Sequence, residues 1–201
     1  MPHKNKSVTL LELLIVIVIF GLIIVGITSI NVFSRHNVVS SDRRTRLQNE
    51  VSLCFEHITK QGLRTIGNET IYGANSAVSI VPNTSLSFYV DRNSNGRRED
   101  PSLNIDTWVS YTFNPATYRL TFCANCGSSP TCVCTAANTE VISEKIVAFN
   151  PTKVANFTQG NHVEVLITAR WDPSQPSATA SSENPEMNMR AAIDLPSVST
   201  R

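Results

Sequence analysis

The sequence has few charged residues and no excess of either sign. Charged side chains make up 16% of the 201 residues, with 17 Lys and Arg against 16 Asp and Glu. An average soluble protein has about 25% charged residues. The near-neutral balance excludes a strongly basic nucleic-acid-binding protein and an acidic disordered chain as the main identity.

Motifs for catalysis are also missing. The four histidines are His3, His36, His57 and His162. None of them stands in a Ser-His-Asp, Cys-His or His-Glu-x-x-His pattern, and the sequence has no glycine-rich phosphate loop. The sequence therefore predicts that the protein is not an enzyme.

Proline is absent from residues 8–62, and glycine is rare there. Because proline interrupts helices, this segment predicts one long helix over residues 8–61. Residues 8–27 are almost entirely apolar, and 20 residues in a helix span about 30 Å, the thickness of the hydrocarbon core of a bilayer. A cleaved signal peptide and a simple signal anchor are the alternatives. No Ala-x-Ala pattern follows the apolar run, which argues against the signal peptide.

Glu12 lies inside this apolar stretch and requires an explanation. A carboxylate at the centre of a membrane helix costs about 2.5–3.5 kcal/mol, and somewhat less near its end. A cationic group on a neighbouring chain would offset that cost, and an amine created by cleavage just before Val8 would serve. Glu12 is therefore a candidate for pairing between chains.

The segment SVTLLE at residues 7–12 resembles the prepilin processing motif of type IV pilins and type II secretion pseudopilins. The resemblance implies cleavage between Ser7 and Val8, N-methylation of Val8, and roles in assembly for Thr9 and Glu12. Ser7 and Val8 depart from the Gly and Phe that are usual in that family.

The resemblance also implies a function and a location. The chain would be a structural subunit, a minor pilin or pseudopilin, with a leader at residues 1–7. Its partners would be other pilin or pseudopilin subunits, the prepilin peptidase and methyltransferase, and the inner-membrane assembly platform. It would cross the inner membrane once, with an extracytoplasmic head. The order of segments in the head is similar to that of J-type minor pseudopilins. The alternative is a monomeric membrane-anchored extracytoplasmic binding domain, sensing calcium or another ligand through its head, which has no use for Glu12.

The predicted helix has a membrane part at residues 8–30 and an amphipathic part at residues 31–62. Apolar residues recur in the second part at helical spacing, which predicts a face packed on the head. Cys54 lies on this face and is predicted to be a buried free thiol. The face consists of Leu47, Val51, Cys54, Phe55 and Ile58.

Residues 63–201 have the short alternating segments of a β-rich head. The turn NPA at residues 114–116 indicates a hairpin. The fold class predicted is α+β and pilin-like, with the long helix packed on an antiparallel sheet. The candidate strands are 77–81, 85–90, 106–113, 117–122, 140–149, 162–171 and 187–194.

A candidate calcium loop starts at Asp91. Side chains with oxygen ligands occupy positions 1, 3, 5, 9 and 10 of an EF-hand-like pattern, and glycine occupies position 6. Position 12 is Ser102 and not the expected bidentate glutamate. The alternative is a plain polar turn. The candidate ligands are Asp91, Asn93, Asn95, Glu99 and Asp100.

Four of the five cysteines, Cys123, Cys126, Cys132 and Cys134, fall within twelve residues. Disulfides, a zinc site and free thiols are the alternatives, and zinc ribbons usually separate their cysteine pairs by a longer stretch. An extracytoplasmic head favours oxidation. We expect nested disulfides, Cys123 with Cys134 and Cys126 with Cys132, because nesting keeps each pair near opposite positions of a hairpin.

Overall fold

The structure of the chain is a computed structural model. It describes residues 9–67, 77–96, 106–132, 138–153, 162–176, 181 and 183–195. These residues form one helix, α1 (Leu10–Leu63), and eight strands. The strands are β1 (Val78–Val81), β2 (Ser85–Val90), β3 (Thr107–Asn114), β4 (Arg119–Cys123), β5 (Thr139–Ser143), β6 (Ile146–Lys153), β7 (His162–Arg170) and β8 (Glu186–Asp194).

The contacts divide the chain into two compact units, with the boundary between Asp42 and Arg43. Up to that boundary, α1 buries none of its described residues. After it, α1 buries one face in the head, as the spacing of apolar residues predicts. The buried positions are Leu47, Val51, Cys54, Phe55, Ile58 and Gly62.

The strands form two antiparallel sheets. The first sheet has the order β1-β2-β3-β4-β5 and the second has the order β6-β7-β8. The predicted hairpin at residues 114–116 joins β3 and β4, with Asn114 opposite Arg119. Because successive strand residues point to opposite faces, the alternation in β7 buries one side only. Its buried side consists of Val163, Val165, Ile167 and Ala169.

One hydrophobic core joins the helix to both sheets. Its fully buried aromatic members are Phe88, Tyr111 and Phe149, which come from β2, β3 and β6. A second, smaller cluster contains Tyr89 and Trp108. Since Tyr89 follows Phe88 in the same strand, it faces the opposite side of the first sheet. The first sheet is therefore covered on both faces near β2 and β3.

The prediction of one continuous strand over residues 140–149 is wrong. The chain leaves β5 at Ser143, passes Glu144 and Lys145, and enters β6 at Ile146. β5 pairs with β4, whereas β6 pairs with β7 in the other sheet. β6 also continues through Pro151, which an edge strand tolerates because its outer side needs no ladder hydrogen bonds.

Candidate functional site

The first turn of α1 contains a reciprocal hydrogen-bonded pair. Glu12 Oε2 accepts from the backbone N–H and from the hydroxyl of Thr9, each at 3.4 Å. The backbone N–H of Glu12 donates to Thr9 Oγ1 at 3.3 Å. The first helical backbone bond runs from Leu13 N to Thr9 O. Thr9 is therefore the N-cap residue and Glu12 the N3 residue of a capping box.

The sites of predicted leader processing lie just before this turn. Residues 1–8 are outside the described part of the chain, and so are Ser7 and Val8. Cleavage between Ser7 and Val8 and methylation of Val8 therefore stay predictions. The structure shows Thr9 and Glu12 together in one exposed turn.

The helix that follows is exposed and apolar. Leu10 is 84% exposed and Phe20 is 62% exposed. Within the described residues, α1 is the one helix that is long and apolar enough to cross a membrane, by length and composition. Its most apolar 18-residue window has a mean hydropathy of 3.2 and no buried residue. Large exposed apolar surfaces mark contacts with a membrane or with other chains.

The described part of the candidate calcium loop is a hydrogen-bonded turn. Asp91 accepts from Ser94 N at 2.6 Å and from Gly96 N at 2.9 Å through its two carboxylate oxygens. Asn93 Oδ1 accepts from Asn95 N at 3.1 Å. The turn also needs the left-handed backbone of Gly96, at φ +72°.

The hydrogen bonds of Asp91 are those of a polar turn. A carboxylate can accept about four hydrogen bonds or ligand contacts, so these two bonds are compatible with a bound cation as well. Asn93 and Asn95 lie beside it in the turn, whereas Glu99 and Asp100 are outside the described residues. Calcium binding at this loop stays a prediction.

The cysteine cluster contains a disulfide between Cys126 and Cys132, with Cα atoms 4.9 Å apart. This confirms one of the two predicted pairs. The Sγ of Cys123 lies 3.0 Å from that of Cys132. Metal binding needs thiolates, which a disulfide does not provide, so this state is not a zinc site. Cys134 is outside the described residues, and the Cys123–Cys134 pair stays a prediction.

Cys54 is free and completely buried, as predicted. Burial, with a smaller contribution from the charge of Glu50, raises the pKa of the Cys54 thiol to about 12. A thiol with this pKa stays protonated at neutral pH and is a poor nucleophile. Cys54 is therefore a packing residue of the head.

The head contains a groove that was not predicted from the sequence. It has a volume of about 310 Å³ and lies between α1 and β5. His57 lines it, with Nδ1 2.8 Å from the hydroxyl of Tyr111, which donates to the His57 carbonyl at 3.0 Å. Burial lowers the pKa of His57, against a smaller opposing effect of Glu140. The spacing of Leu53, His57 and Lys60 places them on one face of α1, and this pattern could have indicated a surface with mixed apolar and polar side chains.

This groove does not carry a recognisable reaction centre. The hydroxyl of Tyr111 is engaged with His57, and burial raises the pKa of Tyr111 far above its ordinary value. The His57 ring makes an edge contact with the ring of Phe122, with 4.6 Å between the centroids. The Tyr111 ring lies 5.0 Å from the Phe122 ring, in a tilted arrangement. The cluster therefore fixes α1 on β3 and β4.

Comparison with known proteins identifies the N-terminal segment. Residues 2–28 match the family model of the prokaryotic N-terminal methylation motif. No curated protein and no solved structure matches the chain significantly. The match covers the residues just before α1, the capping box and most of the apolar part of α1, and the β-rich head follows. The chain thus carries a prepilin-type methylation motif on a pilin-like architecture.

Proposed function

We propose that the protein is a structural subunit, a minor pilin or pseudopilin, of a type IV pilus or a type II secretion pseudopilus. The observation that carries this proposal is the methylation motif at residues 2–28, which continues into an exposed apolar helix. Glu12 is the one charged residue of the sequence between Val8 and Arg35. Its role is structural and not catalytic.

The charge of Glu12 supports assembly over simple anchoring. A lone carboxylate near the end of a membrane helix costs free energy, and an anchor gains nothing from it. A filament subunit gains a pairing site, because an amine on an adjacent chain is attracted most strongly in a weakly polar environment. The proposed partner is the amine of Val8 on the adjacent subunit.

The remaining assignments follow from this proposal. A prepilin peptidase removes residues 1–7 and a methyltransferase modifies Val8. The mature chain crosses the inner membrane once, its head lies outside the cytoplasm, and the assembly platform lifts it into the filament. The segment order of the head favours a J-type minor pseudopilin among the possible subunits.

The test is the behaviour of Glu12 variants in cells. Glu12→Leu and Glu12→Gln should leave membrane insertion and the fold of the head intact, because Glu12 is exposed and outside the core. Both should abolish co-purification with partner subunits if Coulomb attraction dominates. Glu56→Leu and Glu56→Gln are matched controls, since Glu56 is an exposed glutamate on the head part of the same helix.

Wild-type assembly by Glu12→Leu would contradict the proposal. The chain would then be a membrane-anchored binding domain. Loss of the protein from the membrane fraction would instead show that Glu12 acts in insertion, which also contradicts the role in assembly.

A further inference from the structure

The capping box sets the direction of the Glu12 side chain. Glu12 Oε2 lies 3.4 Å from the Thr9 backbone nitrogen, so the carboxylate points back toward the start of the helix. The return bond, from Glu12 N to Thr9 Oγ1, fixes the same turn from the other side. Two groups that would otherwise lack helical partners are thereby satisfied.

This direction brings the carboxylate close to the predicted new N-terminus. In a chain cleaved before Val8, only the Cα and carbonyl carbon of Val8 separate its amine from Thr9 N. Backbone dimensions limit that separation to about 4 Å. The Val8 amine of the same chain therefore lies within about 7 Å of Glu12 Oε2 in any conformation that keeps the capping box.

We propose that Thr9 is a positioning residue for Glu12, and that the capping box is the contact that holds the Glu12 carboxylate in the unassembled subunit. The inference rests on the proposed function. An isolated subunit keeps its carboxylate bonded to Thr9, at its own helix start. Assembly then exchanges the bonds between Thr9 and the carboxylate for the amine of an adjacent subunit. The bond from Glu12 N to Thr9 Oγ1 keeps the helix start, and with it the position of Glu12, unchanged during the exchange.

Substitutions at the two positions separate capping from charge. Thr9→Val removes the hydroxyl and keeps the shape, whereas Thr9→Ser keeps the hydroxyl. Glu12→Gln keeps an acceptor that serves in a capping box, whereas Glu12→Leu does not. All four lie outside the core of the head, so each variant is expected to fold.

The first measurement is amide hydrogen exchange in the full-length protein, extracted from membranes as a monomer in detergent. The Glu12 amide should exchange about fivefold faster in Thr9→Val than in wild type, because an N-cap bond is lost. Thr9→Ser should restore the wild-type rate. The Thr9 amide should remain protected in Glu12→Gln and lose protection in Glu12→Leu. Equal rates in all variants would overturn the proposal.

The second measurement is co-purification with partner subunits. Thr9→Val should lower the yield of co-purified partner subunits several-fold, and Thr9→Ser should restore it. A role of Thr9 in helix stability alone would give the same two results. Glu12→Gln discriminates, because it should keep amide protection and still fail to assemble. Wild-type assembly by Thr9→Val, despite faster exchange, would overturn the positioning role. Wild-type assembly by Glu12→Leu would instead refute the proposed function and leave the exchange result standing.

Discussion

Burial of Cys54 determines both the packing of its side chain and the acidity of its thiol. Its side chain is completely buried on the inner face of α1, and the nearby charge of Glu50 further disfavours the thiolate. Both effects raise the pKa from 9.0 to about 12. Folding therefore favours the protonated thiol, and this contribution to stability is complete below pH 9.

We expect the stability of the head to fall as the pH rises from about 9 to about 12. The unfolded chain releases the Cys54 proton near pH 9, whereas the folded chain retains it until about pH 12. At pH 8, alkylation of Cys54 in the native protein should be about a thousandfold slower than in denaturant, as the pKa difference sets the thiolate fraction. Peptide mapping after timed alkylation measures the rate at Cys54 in each state. Labelling of Cys54 in the native protein at a rate close to that in denaturant would contradict the raised pKa.

The helical spacing of apolar residues correctly predicted that Cys54 is buried, because burial of that face depends on periodicity. The assembly roles of Thr9 and Glu12 stay predictions. Their T-x-x-E spacing is also that of a capping box, and this hydrogen-bonded turn was not predicted. The groove beside His57 was missed, because its other wall, β5, is distant in the sequence.

Among the elements, α1 closely approaches the second sheet at Gly62. A Cβ at this position would lie 2.8 Å from Cγ2 of Ile193 in β8 and 3.5 Å from Cδ2 of Leu195. Ile193 is branched at Cβ and therefore stiff, so it cannot move aside cheaply. Glycine at position 62 thus permits the end of α1 to approach β8.

Gly62→Ala should destabilise the head by about 1–2 kcal/mol. Overpacking costs about 1–3 kcal/mol, and the better helix propensity of alanine returns at most about 1 kcal/mol. The measurement is the unfolding midpoint in urea of the detergent-extracted protein. Gly21→Ala is the matched control, since a Cβ there meets no atom within 4 Å. Equal or greater stability of Gly62→Ala would refute the packing argument.

The cysteine segment after β4 is held by a short covalent loop. The Cys126–Cys132 bond has a sequence separation of 6. It follows Cys123 at the end of β4, and Cys126 packs beside the cluster of Tyr89 and Trp108. The loop therefore covers the outer face of the first sheet.

The double variant Cys126→Ala/Cys132→Ala should lose about 2 kcal/mol of stability, the loop-entropy value for a ring of this size. Thermal unfolding without reductant measures the loss. Peptide mapping of the non-reduced wild type tests the second pair at the same time and should recover Cys123 linked to Cys134. Alkylatable thiols at Cys123 and Cys134 would contradict the Cys123–Cys134 pair. Unchanged stability of the double variant would contradict the stabilising role of the Cys126–Cys132 disulfide.

The strands show where local patterns stop being informative. Alternation located β7 because that strand has one buried face. It failed at residues 140–149, where the residues on both sides of Glu144 suit a strand. The chain changes sheets there, and this depends on which distant strand each half pairs with. Sequence periodicity does not contain that information.

At the scale of the whole head, one polar network holds α1 to the point where the chain changes sheets. Glu50 accepts from Ser143 Oγ at 2.6 Å and lies 3.6 Å from Lys145 Nζ. Lys145 also lies over the ring of Trp171, at 3.8 Å from its centroid. The network links α1, the end of β5 and the segment after β7. The junction between the two sheets is therefore anchored to α1 by polar contacts as well as by the shared core.

The overall class was predictable, whereas the number of sheets was not. A long apolar helix followed by short alternating segments predicts an α+β fold, the resemblance of the N-terminal motif implies a pilin-like one, and the structure has it. One antiparallel sheet was predicted, whereas the head contains two around one core. Only Glu144 and Lys145 connect β5 to β6, and neither residue is one of the strong turn formers that mark a strand end in a sequence.

The proposed function requires that the chain enters the membrane as a prepilin and is processed before it assembles. Intact-mass analysis and N-terminal sequencing of the protein extracted from membranes measure both the cleavage site and the methylation. We expect a mature chain that begins at Val8 and carries a methyl group on its terminal amine. A chain that begins at Met1, or one cleaved beyond Ile27, would contradict it.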